Sequence, residues 1–242
     1  MFDHITLRVP DLAAASSTLA VLLDRLDIEQ TTSTASFSVW GKLRAHPGRR
    51  RASDRTSRPV AFTAPTTAHV DRFAQTGSGA GFIDVAAGEA LPESIAYGYA
   101  AFLEDQAGNS FGAVHRESAR AKDNIDQLAI RVADLEASAA FYTTIGPTAN
   151  LTLGRRTHDG ASFSVGAEGG RLLVIAGEPT QNLHLAFSGE DDDVRRFHAD
   201  AVAAGYRSNG EPGERPRYHA GYYAAYVFDP DGNNIEIVNH HR

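Results

Sequence analysis

The stretch YAAYVFDPDGNNIEIVN, residues 223–239, decides the fold, because it occurs a second time as YAAFLEDQAGNSFGAVH, residues 99–115. In both copies a strand-like run leads into a polar turn, and a second alternating run follows. Pro presets φ and Gly tolerates positive φ, so Asp229-Pro230-Asp231-Gly232 is typical of a tight turn between two strands. The chain therefore contains two copies of one supersecondary unit.

Two further blocks repeat in the same order, at an offset of about 124 residues. FDHITLRVPDL at 2–12 matches IDQLAIRVADL at 125–135, and PVAFTAPTTAHVDRF at 59–73 matches HLAFSGEDDDVRRF at 184–197. We interpret the three blocks as a tandem duplication. The polar stretch 117–123 lacks periodicity and is predicted to join the halves, so we expect an N-terminal domain over 1–118 and a C-terminal domain over 123–242.

Each half is itself built from two similar units. In the second half, Ile125–Val132 alternates like a strand and Asp134 is a typical N-cap for the helix that follows. The order restarts with a strand at Leu183–Phe187 and a second helix, for which Gly205 is the expected C-terminal cap. The sequence predicts an α+β chain of four units, each with a strand, a helix and two or three further strands.

The composition excludes several classes of protein. The 242 residues carry 23 Lys+Arg against 30 Asp+Glu, a net charge of −7, with the hydrophobic share of a globular chain, 42%. Zero cysteines exclude disulfides and thiolate metal sites. No apolar run is long enough for a bilayer and no signal peptide is visible, so we expect a soluble cytoplasmic protein without a membrane partner. The acidic charge argues against nucleic acid.

Alternation along three predicted strands gathers metal-ligating side chains. The apolar residues of 3–9, 182–187 and 233–238 share one face of each strand, which leaves His4, His184 and Glu236 on the opposite face. If helices cover the apolar faces, these three residues point into a concave surface. Two imidazoles and one carboxylate suit a divalent metal with open coordination positions.

DHITLRVPDL (3–12), LHLAF (183–187) and YYAAYVFDPDGNNIEIV (222–238) resemble the vicinal oxygen chelate superfamily, which includes glyoxalase I, extradiol catechol dioxygenases, fosfomycin-resistance enzymes and bleomycin-binding proteins. The resemblance covers nearly the whole chain. It implies tandem βαβββ modules, four per chain, that form cupped mixed β-sheets with the helices outside and a metal in the cup.

The resemblance also implies which residues hold the metal, namely His4, His184 and Glu236, with Gln127 as the alternative first ligand. Pro59 and Gly112, at the corresponding positions of the first half, have no side-chain ligand atom. Glyoxalase I has a fourth ligand, a glutamate, whose matching positions here look like Ala45 and Val174. This departure favours a three-ligand site, and residues 219–236 also resemble the extradiol dioxygenase signature except at Ala225.

Two groups of residues near the predicted ligands are candidates for catalysis and substrate binding. His219 and Tyr226 are the expected acid or base. The expected substrate-binding residues are Arg215, Arg217, Tyr218 and Tyr223. A surface loop with tyrosines that merely pack is the competing interpretation of 215–223. The arginine-rich stretch 46–59 is interpreted as a solvated, mobile loop, with a functional lid or anion clamp as the alternative.

Superfamily members pair their modules in two ways. If both modules of a half share a cup, the site consists of Gln127, His184 and Glu236. If the first module of one half pairs with the second module of the other, His4 joins His184 and Glu236. We favour the exchanged pairing, with a single metal site in a monomeric pseudo-dimer or a homodimer, because imidazole is a stronger ligand than an amide oxygen.

The resemblance implies a metal-dependent enzyme, dioxygenase-like or lyase- or transferase-like, acting on a small oxygenated molecule. The expected cofactor is one divalent ion, Fe²⁺ or Mn²⁺ ahead of Zn²⁺ or Ni²⁺. The alternative is a metal-free protein of the bleomycin-resistance type that sequesters its ligand in an aromatic pocket, to which Trp40 could contribute.

Overall fold

The computed structural model describes residues 1–48, 60–87, 98–105, 109–116, 124–167, 169–180 and 182–241. The predicted junction at 117–123 lies outside these residues, as do Pro59 and most of the basic stretch 46–59. The division into domains at residues 118 and 123 therefore stays a prediction. Within the described ranges, no helix is long and apolar enough to span a membrane.

The described residues form sixteen strands and four helices in four successive modules, each with the order βαβββ. The first half contains β1 (Phe2–Val9), α1 (Leu12–Asp24), β2 (Gln30–Ser33), β3 (Ser38–Trp40), β4 (Leu43–Pro47), β5 (Val60–Thr63), α2 (Thr67–Gly79), β6 (Ile83–Ala87), β7 (Gly98–Glu104) and β8 (Ser110–Arg116). The second half contains β9 (Ile125–Val132), α3 (Leu135–Ala149), β10 (Leu151–Arg156), β11 (Gly160–Val165), β12 (Arg171–Ala176), β13 (His184–Ser188), α4 (Asp191–Ala203), β14 (Ser208–Glu214), β15 (Tyr223–Phe228) and β16 (Asn234–Asn239). The predicted α+β repeat is confirmed, with three strands after every helix.

The four modules pair across the two halves. The first sheet has the order β14-β15-β16-β13-β1-β4-β3-β2 and joins the first module to the fourth. The second sheet has the order β10-β11-β12-β9-β5-β8-β7-β6 and joins the third module to the second. At the centre of each sheet, β1 pairs antiparallel with β13 and β9 with β5. The chain thus adopts the exchanged arrangement.

Equivalent residues begin the first helix of each half. Asp11 Oδ1 accepts a hydrogen bond from the Ala14 backbone N–H at 2.9 Å, and Asp134 Oδ1 accepts one from the Ala137 N–H at 3.0 Å. Each carboxylate satisfies an N–H group that has no partner inside its helix. At the far end of α4, Gly205 has a φ of +90° directly after the C-cap residue, as the sequence predicts.

Alternation gives each sheet a helix face and an opposite face. On β1, Ile5, Leu7 and Val9 are buried in the main core with the apolar sides of the helices. His4 and Thr6 point the other way, as the period of two in a strand requires. We call the concave surface formed by these opposite-facing side chains the cup of that sheet.

The turn between β15 and β16 ties two strands of the first sheet together. Asp229 Oδ1 accepts hydrogen bonds from the N–H groups of Asp231 and Asn233, at 3.0 and 2.7 Å. Asn233 Oδ1 accepts one from the Leu183 N–H at 3.0 Å, next to the start of β13. Gly232 has a φ of +84°. The turn therefore sets the register of Glu236 on β16 against His184 on β13.

Replacing Gly232 by valine should destabilise the protein by about 1–3 kcal/mol, because a β-branched residue is strained at positive φ. No atom lies within 4 Å of an added Cβ, so the loss would come from the backbone alone. Gly232→Asn is the matched control, since asparagine tolerates this conformation. Equal losses of unfolding free energy for both variants in urea would contradict this account.

Candidate metal centre

Three side chains from three neighbouring strands meet in the cup of the first sheet. His4 on β1, His184 on β13 and Glu236 on β16 each present a ligand atom, and these atoms lie within 4.8 Å of one another. Glu236 Oε2 is 2.7 Å from His184 Nε2 and 3.7 Å from His4 Nε2. His4 and Glu236 are buried, while His184 is partly exposed. The structure thus brings together the three residues that sequence alternation selects.

Strand register sets the spacing of this cluster. Ala186 on β13 lies opposite His4 of β1 on one side and opposite Glu236 of β16 on the other. His184 precedes Ala186 by two residues and so lies on the same face. Because Ala186 has only a methyl group, no long side chain from β13 separates His4 from Glu236. The cluster therefore lies at the centre of the first sheet.

Asp3 orients His4 from behind. The carboxylate Oδ1 of Asp3 is 2.6 Å from His4 Nδ1, which leaves His4 Nε2 directed at Glu236. Asp3 Oδ2 is 2.9 Å from His240 Nε2, and His240 Nδ1 is 2.9 Å from His219 Nε2. A carboxylate behind a ligating histidine fixes the tautomer and the ring orientation.

Two tyrosines of the fourth module face Glu236. The Tyr222 hydroxyl donates a hydrogen bond to Glu236 Oε1 at 2.7 Å. Tyr226 lies opposite Glu236 in the β15–β16 register, and burial and the charge of that carboxylate raise the pKa of its hydroxyl. Tyr222 therefore holds the carboxylate, and Tyr226 places a second hydroxyl beside it.

Burial and neighbouring charges set the protonation of the cluster. Burial lowers the pKa of His4, more strongly than Asp3 raises it. Burial raises the pKa of Glu236, but the hydrogen bond and charge of His184, the charge of His4 and the Tyr222 hydrogen bond outweigh it, so this pKa is lowered. Neutral pH therefore favours a neutral His4 and an ionised Glu236.

The donor set fits a divalent metal. Ligand atoms around an ion at roughly 2.1 Å lie about 3–4 Å apart, close to the spacing found here. A neutral imidazole at His4 and a carboxylate at Glu236 are the ligand forms that a metal requires. Two histidines and one carboxylate leave further coordination positions for other molecules.

The expected positions of a fourth ligand do not face this cluster. Ala45 pairs with Leu7 in the main core, and Val174 pairs with Ile130 in the same core, so both lie on a helix face. On β4 the residue that faces the cup is Arg44, which pairs with Thr6 of β1. The charge of Arg44 lowers the pKa of His4. A guanidinium is not a metal ligand, so the described residues offer three ligands at this cluster.

The basic residues expected to bind substrate lie at the rim of the cup. The Arg215 guanidinium lies 5.5 Å from the ring centroid of Tyr226 and donates to the Glu211 carbonyl at 2.6 Å. Arg217 donates to the exposed Tyr218 hydroxyl at 3.0 Å, and the Tyr218 ring packs on Tyr222 at 4.8 Å between centroids. The rim therefore connects to the cluster through its aromatic rings.

Two expected site residues lie away from the ligand atoms. His219 contacts His240 and Tyr222, with 5.2 Å between ring centroids in both cases. Among the described residues it has no hydrogen bond or ring contact with the three-residue cluster. Tyr223 lies on the helix face, where Arg195 of α4 approaches its ring at 5.8 Å. Alternation explains this position: Tyr223 and Tyr226 are three residues apart on one strand, so when Tyr226 faces the cup, Tyr223 faces the helices.

The cup of the second sheet contains an amide and apolar side chains where the first cup contains the three-residue cluster. Gln127 is buried and its Oε1 has no hydrogen-bond partner among the described residues. Gly112 lies under the Phe102 ring, and an added Cβ would come within 2.4 Å of that ring. Ala61, Phe102 and Val114 form an apolar cluster there with Ala100. Phenylalanine thus occupies the space that a glutamate at position 112 would need.

Comparisons with known proteins agree with this fold. Residues 124–237 match the sequence profile of the Glyoxalase/Bleomycin resistance protein/Dioxygenase superfamily. A glyoxalase I mutant from Zea mays is 17% identical with a TM-score of 0.72, over 99% of this chain and 94% of that one. A protein of Bacillus subtilis subsp. subtilis str. 168, described as a proposed dioxygenase, is 16% identical with a TM-score of 0.70, over 98% and 84%. No curated protein sequence matches the chain significantly. At these identities the structural likeness shows the fold alone.

Proposed function

Residues 124–237 form a domain of the Glyoxalase/Bleomycin resistance protein/Dioxygenase superfamily, and from this premise we propose that the protein is a metal-dependent enzyme acting on a small oxygenated molecule. His4, His184 and Glu236 would hold one divalent ion, Fe²⁺ or Mn²⁺ ahead of Zn²⁺ or Ni²⁺. The supporting observation is the convergence of three ligand atoms within 4.8 Å on neighbouring strands of one sheet. Each chain would carry one such set.

The bound ion would act as a Lewis acid and template that chelates two vicinal oxygens of the substrate. The chain's own residues would position that substrate and donate hydrogen bonds to it. Burial and the negative charge of Glu236 raise the pKa of Tyr226, so its hydroxyl stays protonated at neutral pH. We therefore assign Tyr226 the role of hydrogen-bond donor toward a substrate oxygen that gains negative charge during the reaction.

The residues around Tyr226 fall into two groups: those at the rim of the cup, which could bind substrate, and those that contact the residues orienting the metal ligands. Arg215, Arg217 and Tyr218 at the rim suit an anionic or polyoxygenated substrate, since guanidinium groups bind such oxygens. His219, which contacts His240 and Tyr222, would support the residues that orient the ligands. Tyr223, on the helix face, has no assigned role in substrate binding.

Ligand number favours dioxygenase-like chemistry over that of glyoxalase I. The cluster contains two histidines and one carboxylate, the combination typical of non-haem Fe²⁺ oxygenases. The positions first matched to a fourth ligand lie on helix faces. A sequestering protein that binds its ligand without a metal is less favoured, because Trp40 is fully buried in the main core, away from the cup.

Metal content tests the proposal. Protein purified without a histidine tag and incubated separately with Fe²⁺, Mn²⁺, Zn²⁺ and Ni²⁺ should bind about one equivalent of at least one ion, as a preformed three-ligand site requires. Oxygen consumption with catechols would then test the oxygenase assignment. Binding below about a tenth of an equivalent for every ion would contradict the enzyme proposal and favour the sequestering protein.

Two tyrosine variants separate ligand support from catalysis. Tyr222→Phe removes the hydrogen bond to Glu236 and should weaken metal binding by about 10–100-fold, as expected for loss of a partner behind a ligand. Tyr226→Phe should leave metal affinity nearly unchanged and lower kcat by about 100-fold or more. The assignments would be wrong if the two variants gave equal metal affinities and equal turnover.

A further inference from the structure

A cleft of about 400 Å³ lies on the helix side of the first half, away from the candidate metal centre. It runs between α1 and the residues that follow α2. Leu19, Phe82 and Phe111 give it apolar walls, and Asp105 and Asn109 supply polar groups on one side. This volume lies within the range of small-molecule sites.

The second half of the chain shows what the corresponding space contains when it is filled. There the rings of Phe141 and Tyr142 on α3 are fully buried, and Phe141 packs edge-to-face on Tyr206 with 4.8 Å between centroids. The Tyr142 hydroxyl donates a hydrogen bond to Asp229 Oδ2 at 3.3 Å. Asn233 Nδ2 donates to the same oxygen at 3.0 Å.

The first half keeps the acceptor and lacks the phenol. When the N-caps Asp11 and Asp134 are aligned, Thr18 and Leu19 stand where α3 has Phe141 and Tyr142. The two polar groups in the turn between the last strands are retained, since Asp105 Oδ2 accepts a hydrogen bond from Asn109 Nδ2 at 2.6 Å. Phe82 takes the place of Tyr206, so an aromatic wall is also retained.

We propose that this cleft binds a small phenol, with the aromatic ring against Phe82 and the hydroxyl group donating to Asp105. In the second half the corresponding carboxylate, Asp229, accepts a hydrogen bond from the phenol of Tyr142. The corresponding aromatic wall, Tyr206, packs there on Phe141, the ring next to that phenol. Apolar cavities lined by Leu and Phe bind single aromatic rings. The carboxylate at one side adds a charge-assisted hydrogen bond, which selects a phenol over a plain hydrocarbon.

The probes are 4-methylphenol, which is the tyrosine side chain as a free molecule, and toluene, which lacks only the hydroxyl group. Calorimetric titration of the full chain should give one site per chain, with 4-methylphenol binding about 10-fold more tightly than toluene, as expected for a hydrogen bond to a charged group. Asp105→Asn should reduce this preference to about 2-fold. Equal binding of the two probes by the natural chain would overturn the proposal.

Leu19→Tyr is the decisive variant, because it restores the residue that fills the space in the second half. It should abolish 4-methylphenol binding in the cleft, raise Tm, and leave metal content unchanged. The metal centre is a competing site for a phenol, and Leu19→Tyr does not alter it. Full binding of 4-methylphenol by a folded Leu19→Tyr protein would therefore locate the phenol elsewhere and overturn the proposal, as would absence of binding to the natural chain. If Leu19→Tyr does not fold, Thr18→Phe fills the same cleft and is read in the same way.

Discussion

Replacing His4 by alanine should abolish stoichiometric metal binding, whereas replacing Gln127 by alanine should leave about one equivalent bound. His4 Nε2 lies 3.7 Å from Glu236 Oε2 in the first cup, so His4→Ala would leave one imidazole and one carboxylate. Gln127 occupies the equivalent position in the other cup, where it is in register with Ala61 and, through it, with Gly112. Within the described part of the chain it has no contact with the cluster. Elemental analysis of the dialysed variants after incubation with Mn²⁺ measures the difference.

Circular dichroism and thermal melting would establish that both variants are folded, and His4→Gln is a matched control that keeps a weak oxygen ligand. We expect His4→Gln to bind metal between the levels of the natural chain and of His4→Ala, because an amide oxygen is a poorer ligand than imidazole. Loss of metal from Gln127→Ala together with retention by His4→Ala would instead place the site within the second half.

Removing the carboxylate of Asp126 should destabilise the protein by about 3–5 kcal/mol, because it would remove a bidentate carboxylate from a buried guanidinium. Arg116 at the end of β8 donates from Nε to Asp126 Oδ1 at 2.7 Å and from Nη2 to Oδ2 at 2.8 Å. Both side chains are at most 6% exposed. The pair links the last strand of the first half to the first strand of the second half.

The measurement is the melting temperature of Asp126→Ala, which should fall by roughly 6–20 °C for a chain of this size. Asp192→Ala is the control, because Asp192 pairs with Arg195 at 2.6 Å on the exposed side of α4 and should leave the melting temperature nearly unchanged. A similar decrease in melting temperature for both variants would show that the buried ion pair contributes no more to stability than the exposed one.

Periodicity in the sequence predicts the module architecture and the three cluster residues, because a strand's period of two assigns each side chain to a face. The same alternation places Tyr222 with Tyr226 and would have identified it as a partner of Glu236. It also excludes Tyr223 from the cup. The pattern within one strand does not encode its register against its neighbours. The sequence match to a fourth ligand therefore selects Ala45, whereas the residue that faces the cup is Arg44, one position earlier.

Asp3 shows what periodicity cannot predict. Strict alternation would place it on the face opposite His4, yet its carboxylate contacts the His4 ring. The pairing of β1 with β13 shifts in register between Phe2 and His4, and such an irregularity changes where a side chain points. His240 joins Asp3 from the far end of the chain, a contact of very long sequence separation.

The pairing of β1 with β13 also determines when the ligand-bearing sheet can form during synthesis. The second sheet is complete once residues up to β12 have left the ribosome, because β5 and β9 are neighbours at its centre. β1 can pair with β13 only after about 175 further residues have been translated. At ordinary translation rates this takes on the order of ten seconds or more. Throughout this time the side of β1 that faces away from β4 is an unpaired edge on the nascent chain, open to pairing with other chains. His184 and Glu236 are also made late, so this cluster can bind an ion only after residue 236 has been made.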